Sequence, residues 1–501
     1  MRCLTLAEHL RERGAGVRFV CRAHRGNLIE LLRERHHAVA ILPAPPRATD
    51  AASDGDYAAW LGVSQEKDTE ETLAALQGAK PDWLVVDHYA LDAAWERSMR
   101  PHASRILVID DLANRSHDCD VLLNQNFSNR GPERYGGRVP DRCRLLLGPR
   151  HALLRPEFAR CRQSRQNRDG RVRRIFIFLG GTDPGGVTGL ALDALSDPEF
   201  AALEADVVVG ANNAHRQFLE TKASNRPRTR LYGPTTKLAD LMARADLAIG
   251  AGGGTTWERL CLGLPSVVVS IAENQVPACE ALAEGRLIRY LGADSDVSVA
   301  AIREELRTLI GSPEPLAQLA IRGQMAVDGR GAARVAECLD PTPPDRLSLR
   351  PANEDDARIY FYWVNDPEVR RQSLRPEPID WPRHQEWFAG KLATEQSRLF
   401  VLEAGDLPVG QIRFDREGAE TRIDYSIDSL FRGHGWATRL LALGVQEMSY
   451  GPTMIFRADV KESNPASSAV FRKLGFAESG SPAGAGIRVF RLEAASRRQE
   501  A

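Results

Sequence analysis

Short apolar runs recur along the first two-thirds of the chain, spaced so that a helix fits between one run and the next. Val17 to Arg22, Val39 to Leu42, Trp83 to Asp87, Arg105 to Asp110, Val121 to Asn124 and Arg144 to Leu147 make a first series. Arg174 to Leu179, Asp206 to Val209, Leu247 to Gly250 and Val267 to Ser270 make a second. Near-continuous apolar strands alternating with helical stretches predict α/β structure, with parallel sheets covered on both faces. Two such units lie in tandem, over residues 1–160 and 171–339. The basic, polar segment Arg160 to Arg173 between them reads as a solvated linker. The cleft between two such units is the expected ligand site.

The pattern changes after Asp340-Pro341-Thr342-Pro343-Pro344-Asp345, a run that continues neither a helix nor a central strand. Residues 340–346 are the expected linker, and a third domain is expected over 347–493. Within it, Leu399 to Leu402, Val409 to Phe414 and Arg422 to Ile427 predict antiparallel strands. A helix from near Gly435, a strand Met454 to Val460, a helix Ala466 to Leu474 and a last strand Ile487 to Leu492 make the domain α+β.

At the other end, an amphipathic helix comes first, with Leu4, Ala7 and Leu10 on one face and Gly14 and Gly16 stopping it. In a parallel sheet such a helix is the crossover after a first strand. Without that strand, two ladder edges stay unpaired in the sheet centre. The start is therefore expected to be internal to the natural protein.

With 501 residues the chain has room for about three domains of ~150 residues each. Its formal net charge of −1 argues against nucleic acid or an anionic membrane as an electrostatic partner. No apolar run approaches the ~20 residues of a membrane helix, and no basic-then-apolar signal opens the chain, so a cytoplasmic location is expected. The eight cysteines are far apart, with no C-x-x-C pair and no histidine cluster at ligand spacing. They read as reduced packing residues, and no metal is expected.

Two glycine-rich turns carry the candidate chemistry. Gly250-Ala251-Gly252-Gly253-Gly254-Thr255-Thr256-Trp257-Glu258 follows a strand and opens a helix. Close backbone approach, unpaired helix N–H groups and two threonine hydroxyls suit a phosphate, and Glu258, one turn on, is placed to reach ribose hydroxyls. Glu273-Asn274-Gln275 follows the next strand, at the carboxyl end where open α/β sheets bind ligands. In the third domain, Arg432-Gly433-His434-Gly435-Trp436-Ala437 fits R-x-x-G-x-A between a strand and a helix, which again suits a pyrophosphate.

That second turn, with Asn464-x-x-Ser467-x-x-x-Phe471-x-x-x-Gly475-Phe476 downstream and Leu349-Arg350-Pro351 to Arg370 upstream, resembles the GCN5-related N-acetyltransferases over about residues 347 to 493. The resemblance implies that Arg432, Gly433, His434, Gly435, Trp436, Ala437 and Thr438 hold the pyrophosphate of acetyl-CoA. It also sets Asn464 and the helix bearing Phe471 against the pantetheine arm. Acetyl transfer needs a base for the amine and an acid for the leaving thiolate. Many relatives carry tyrosine where this chain has Phe471, so Tyr425, Asp424 and Glu462 are the candidates.

The tandem units resemble the two Rossmann-like halves of the GT-B glycosyltransferase architecture, and more closely the UDP-sugar hydrolases of pseudaminic acid biosynthesis. Met1 to Ala7, Asp87-His88-Tyr89, Ile109 to Ala113, Asp120 to Asn126, Gly180-Gly181-Thr182-Asp183-Pro184 and Gly250 to Gln275 carry this likeness. It implies UDP contacts from Gly253, Gly254, Thr255, Thr256 and Glu258, with Gly180, Gly181, Asn274 and Gln275 facing the cleft beside the sugar and Tyr89 approaching from the first unit. The family opens with a strand and a Gly-x-Gly-His loop whose histidine activates water. This sequence does not hold that loop, so binding is expected to outlast catalysis, with His88 as a substitute base.

The Trp-Val-Asn-Asp-Pro opening of the third domain also resembles the companion acetyltransferase of the same pathway. Together the resemblances imply a bifunctional enzyme. It would use acetyl-CoA to acetylate the 4-amino group of a UDP-linked amino-dideoxy sugar, then hydrolyse the product to free sugar and UDP. The alternatives are a glycosyltransferase fused to an acetyltransferase, and an inactive UDP-sugar-binding module serving the acetyltransferase.

Overall fold

The computed structural model describes residues 1–24, 26–45, 57–128, 130–164, 168, 170–449, 454–479 and 486–494. The chain divides into two units, Met1–Ala336 and Glu337–Ala501.

The first series of runs forms β1 (Arg18–Arg22), β2 (Ala38–Leu42), β3 (Trp83–Val86), β4 (Arg105–Ile109), β5 (Val121–Asn124) and β6 (Arg144–Leu147). All pairings among them are parallel, yet they make two sheets, β1-β2 and β3-β4-β5-β6. Among the described residues no strand joins β1 to β3, so each keeps one ladder edge unpaired. That helix, Arg2–Glu12, buries Leu4, Thr5, Leu6 and Ala7 rather than the predicted stripe through Leu10. Its first turns are enclosed on all sides, which a single apolar face does not describe.

The second series forms β7 (Arg174–Phe178), β8 (Glu204–Val208), β9 (Thr229–Tyr232), β10 (Leu247–Ala251), β11 (Ser266–Ser270) and β12 (Arg289–Ala293). They pair in the order β12-β11-β10-β7-β8-β9, all parallel. The direction of winding reverses between β7 and β10. Alternate residues along each central strand feed separate cores: Ile175, Ile177, Leu247, Ile249, Val267 and Val269 on one face, Phe176, Ala248 and Val268 on the other. Both faces are covered, which explains why these strands read as unbroken apolar runs.

The expected solvated linker is instead docked. Its leading part is a helix, Pro156–Ser164, and Ala152, Leu154 and Phe158 join the core of the second half. Arg162 donates to the carbonyls of Cys261, Gln324 and Val327, and Arg168 to those of Met242, Ala245, Leu262 and Gly263. Guanidinium groups here satisfy helix-end and loop carbonyls, so the charge that suggested solvent serves as a clasp. Arg162→Ala is expected to lower unfolding stability by about 1–3 kcal/mol through the carbonyls it leaves unpaired. Urea denaturation checks this, and a change near zero would restore the solvated reading.

The second unit carries β13 (Ser348–Pro351), β14 (Ser397–Ala404), β15 (Leu407–Glu417), β16 (Glu420–Ile427), β17 (Met454–Lys461), β18 (Ala477–Ser479) and β19 (Ile487–Ala494) in one sheet. The order is β13-β14-β15-β16-β17-β19-β18, antiparallel except where β16 meets β17. That parallel pairing lasts only from Glu420–Arg422 against Ile455–Arg457, after which the strands part. Helix Trp436–Met448 packs on the sheet through Gly444, where a Cβ would meet Ile412 and Phe414 at 2.9 and 3.0 Å.

Candidate functional site

In the first unit, both glycine turns leave the carboxyl ends of the strands flanking the reversal, β7 and β10, which is where an open α/β sheet forms its ligand crevice. After β7, Gly180 adopts φ +86, and a Cβ on Gly210 would stand 2.3 Å from the Gly181 carbonyl, so the loops after β7 and β8 touch. Asp183 is buried at φ +48 and accepts from the amides of Val187 (2.9 Å) and Thr188 (3.0 Å), tying the turn to helix Val187–Leu195.

After β10, Arg259 organises the loop from below. Its buried guanidinium donates to the Ala251 carbonyl (2.8 Å), Thr256 Oγ1 (3.0 Å) and Thr255 Oγ1 (3.1 Å), and it occupies the space a Cβ on Gly250 would need. Burial pulls it down to about 10 from the usual arginine range, with Glu258 opposing. This corrects one expectation. The Thr256 hydroxyl is fully buried and donates to the Ala251 carbonyl at 3.2 Å, so it is spent inside the loop. Thr255 accepts from Arg259 and keeps its own proton to donate. The amides of Thr256 and Trp257 close onto the carbonyls of Gly253 and Gly254.

Glu258 points its carboxylate at Arg155, with Oε1 3.5 Å from Nη2 and the side chain 14 % exposed. Oε2 is buried without a partner. Burial pushes the carboxyl up to about 7, against the pull of Arg155 and Arg259. Asn274 is exposed on the 3₁₀ turn Glu273–Gln275, while Gln275 Oε1 accepts from the Ile271 amide (3.1 Å) and the side chain lies against Gly252.

In the first half, the Tyr89 hydroxyl donates to Asp111 (2.7 Å), and Arg2 bridges Asp87 and Asp111 at 2.6 Å each. Burial beside Asp111 raises the Tyr89 phenol. His88 is not poised as a base through Nδ1, which accepts from the Ala90 amide at 3.1 Å and holds the turn. Neither the Asp87–Arg2–Asp111 bridge nor the packing of Trp60 and Tyr57 beside the Tyr89 ring is marked by any motif in the sequence. The Ile109 to Ala113 run, which carries Asp111, is the signal nearest to them.

In the second unit, the parting of β16 and β17 opens a cavity of about 1020 Å³. Its lining includes Asp424, Tyr425, Arg432, Gly433, Gly435, Trp436, Ala437, Thr438, Asn464 and Phe471. Gly433 and Gly435 adopt φ +86 and +76, conformations that favour glycine, and nothing lies within 4 Å of a Cβ at either. The loop thus presents bare backbone at the start of a 13-residue helix. Trp436 is buried against Phe431, with its indole N–H unpartnered.

Three expectations change here. The Arg432 guanidinium is held by Asp366 (2.7 Å) and the Ile427 carbonyl (3.2 Å), so it braces the loop. His434 is exposed and outside the lining. Glu462 is likewise exposed and outside it, leaving Tyr425 and Asp424 as the acid–base candidates in the cavity. Asn464 Oδ1 caps helix Pro465–Lys473 by accepting from Ser467 N (3.0 Å). Phe471 is buried and stacks on Phe490, with Tyr425 edge-on to it at 5.8 Å. The Tyr425 hydroxyl pairs with Ser467 Oγ (2.9 Å), and burial pushes the phenol up to about 12. Asp424, 55 % exposed at its side chain, accepts from Gln411 at 3.2 Å. Among the described residues, no cluster of His, Cys, Asp or Glu could hold a metal ion, and no helix is long and apolar enough to cross a membrane.

Residues 346–477 match the acetyltransferase (GNAT) domain family. The N-terminal region resembles two curated proteins. The spore coat polysaccharide biosynthesis protein SpsG of Bacillus subtilis is 24 % identical over 273 residues, covering 54 % of this chain and 79 % of that one. The UDP-2,4-diacetamido-2,4,6-trideoxy-beta-L-altropyranose hydrolase of Campylobacter jejuni is 27 % identical over 207 residues, covering 41 % and 72 %. Among solved structures, Acinetobacter baumannii MurG aligns over 68 % of this chain and 94 % of its own at 14 % identity, with a TM-score of 0.47.

Proposed function

We propose that this chain performs two successive steps on one nucleotide sugar: acetyl-CoA-dependent acetylation of the 4-amino group of a UDP-linked amino-dideoxy sugar, then hydrolysis of the diacetamido product, in which water bonds to the anomeric carbon as the bond to the diphosphate breaks, giving free sugar and UDP. The observation that carries the first step is the cavity between β16 and β17, with the glycine loop at the helix start and Tyr425 both on its wall. The second step rests on Glu258 and the two turns at the sheet's reversal, together with the likeness to the hydrolase.

Acetyl-CoA supplies the thioester carbonyl. The acceptor nitrogen forms the new C–N bond there as the C–S bond breaks. Asp424, the exposed carboxylate in the cavity, takes the proton the nitrogen sheds. Tyr425 gives its proton to the leaving thiolate: with burial pushing the phenol up to about 12, it stays protonated at working pH, and Ser467 fixes its direction. In the first unit, the Gly253, Gly254 and Thr255 backbone faces the diphosphate, and the unpartnered Glu258 oxygen takes a ribose hydroxyl. Gly180, Gly181, Asn274 and Tyr89 are assigned to the sugar.

Following thiol release from acetyl-CoA with a UDP-4-amino sugar as acceptor tests the first step. Tyr425→Phe is expected to lower kcat about 100-fold while leaving the KM for acetyl-CoA within a factor of about two. A kcat unchanged by the substitution would remove Tyr425 from the mechanism, and no acceptor-dependent thiol release by the wild type would remove the reading itself.

A further inference from the structure

Buried polar atoms of folded proteins nearly always find a hydrogen-bond partner, so an orphan on a cavity wall calls for an explanation. Three line this one cavity: Gln411 Oε1, Arg370 Nε and Trp436 Nε1. Trp436 belongs to the glycine loop. Gln411 and Arg370 do not; both gather around Asp424.

Gln411 lies on β15, directly across from Ser426 on β16, and is 8 % exposed. Its amide nitrogen donates to Asp424 Oδ1 (3.2 Å) and Ser426 Oγ (3.4 Å). The alternative amide orientation would set the carbonyl oxygen against the Asp424 carboxylate, so these contacts fix which end is which. Oε1 is left as an acceptor with no donor. Arg370, whose Nη1 is engaged by the carbonyls of Arg375 and Glu377, leaves Nε as a donor with no acceptor, and Asp424 acts on its charge. One wall therefore lacks a donor at one point and an acceptor at another, beside a carboxylate.

We infer that Gln411 positions the acceptor amine: its Oε1 takes an N–H of the primary amine to be acetylated, and Arg370 Nε donates to an oxygen carried beside that amine. The ligand class is a primary amine with a neighbouring hydroxyl or ring oxygen, as an amino sugar provides. This rests on the acetyl-transfer reading above and adds to it a residue that chooses and orients the acceptor. Gln411 Nε2 also holds Asp424, so the same side chain sets the carboxylate at the nitrogen it binds.

Gln411→Leu keeps the volume and removes both polar ends. Steady-state kinetics with acetyl-CoA and the UDP-4-amino sugar should show kcat/KM for the amine reduced about tenfold or more, with the KM for acetyl-CoA within about twofold. A deaminated analogue, used as an inhibitor, separates positioning from general damage: it should bind wild type and Gln411→Leu equally. Losses shared equally by amine and acetyl-CoA, or kcat/KM for the amine within about twofold of wild type, would overturn the assignment. Should Gln411→Leu not fold, Gln411→Met, which keeps the length and flexibility of the side chain but neither polar end, is expected to show the same loss in kcat/KM for the amine with the KM for acetyl-CoA within about twofold, and kcat/KM for the amine within about twofold of wild type would overturn the assignment. Wild-type thiol release with the amine is the separate control: if it is absent, the acetyl-transfer reading fails rather than the role of Gln411.

Discussion

Gly435→Val should all but abolish acetyl transfer, raising the KM for acetyl-CoA by about 100-fold or more, while the protein folds and the first unit binds nucleotide as before. Gly435 adopts φ +76 and ψ 2 as the residue before helix Trp436–Met448. A β-branched residue there costs on the order of 1–2 kcal/mol in the left-handed region, and more if the loop tries to keep its course. The open space around the site means the new side chain meets no protein atom. It stands instead at the bare backbone that the proposed reading assigns to the pyrophosphate, so binding is expected to suffer more than stability. Initial-rate kinetics against acetyl-CoA give the answer. A KM within about threefold of wild type would show that the loop does not hold the pyrophosphate.

The next largest effect is expected at Glu258, where one substitution should weaken nucleotide binding and strengthen the fold. Its carboxyl is raised from 4.5 to about 7, chiefly by burial. Below the lower value both folded and unfolded chains hold the proton, and the group is neutral in its effect. As pH rises from there, the unfolded chain gives the proton up first, so stability falls until the folded carboxyl ionises near 7. The full penalty above that is about 3 kcal/mol. Glu258→Gln removes it: the variant should match wild type at about pH 4 and be more stable by up to about 3 kcal/mol at about pH 8.5. The same change removes the anionic acceptor for a ribose hydroxyl, so uridine should bind about tenfold or more weakly. Uridine carries no phosphate to titrate, and its affinity for wild type should rise with pH through about 7 and stay flat in the variant. Equal stability of the two proteins at every pH would contradict the buried carboxylate, and equal uridine affinity would contradict its role.

Burial on two faces makes a strand legible: β7, β10 and β11 lie between packed layers and emerge within one residue of the ends that their apolar runs predict. β5 and the edge strand β6 emerge with the predicted ends. The strands the pattern missed are β9, β12, β13 and β18, and every one is at a sheet edge. Thr229-Arg-Leu-Tyr, Ser348-Leu-Arg-Pro and Ala477-Glu-Ser carry polar residues or a proline because one side meets solvent, which erases the apolar signal.

The glycine turns were legible as turns, since close approach leaves glycine as its mark. What fills the space beneath them was not. Arg259 reads as one more charged helix residue, yet it is fully buried and takes up Thr255 and Thr256. Arg162 and Arg168 misled in the same way, because a guanidinium that caps carbonyls and one that faces water have the same letter. Gln411 escaped notice because its meaning lies in the pairing of β15 with β16 and in the atom left over once Asp424 is served.

In the proposed sequence of steps the acetyl group goes onto a sugar still carrying its nucleotide. Mass spectrometry of this chain incubated with acetyl-CoA and a UDP-4-amino sugar, beside the same amino sugar without UDP, tests it most directly. The intact UDP-sugar is expected to gain one acetyl group, only when acetyl-CoA is present, and well ahead of any acetylation of the nucleotide-free sugar. No acetylation of the UDP-sugar, or equal acetylation of both sugars, would contradict it.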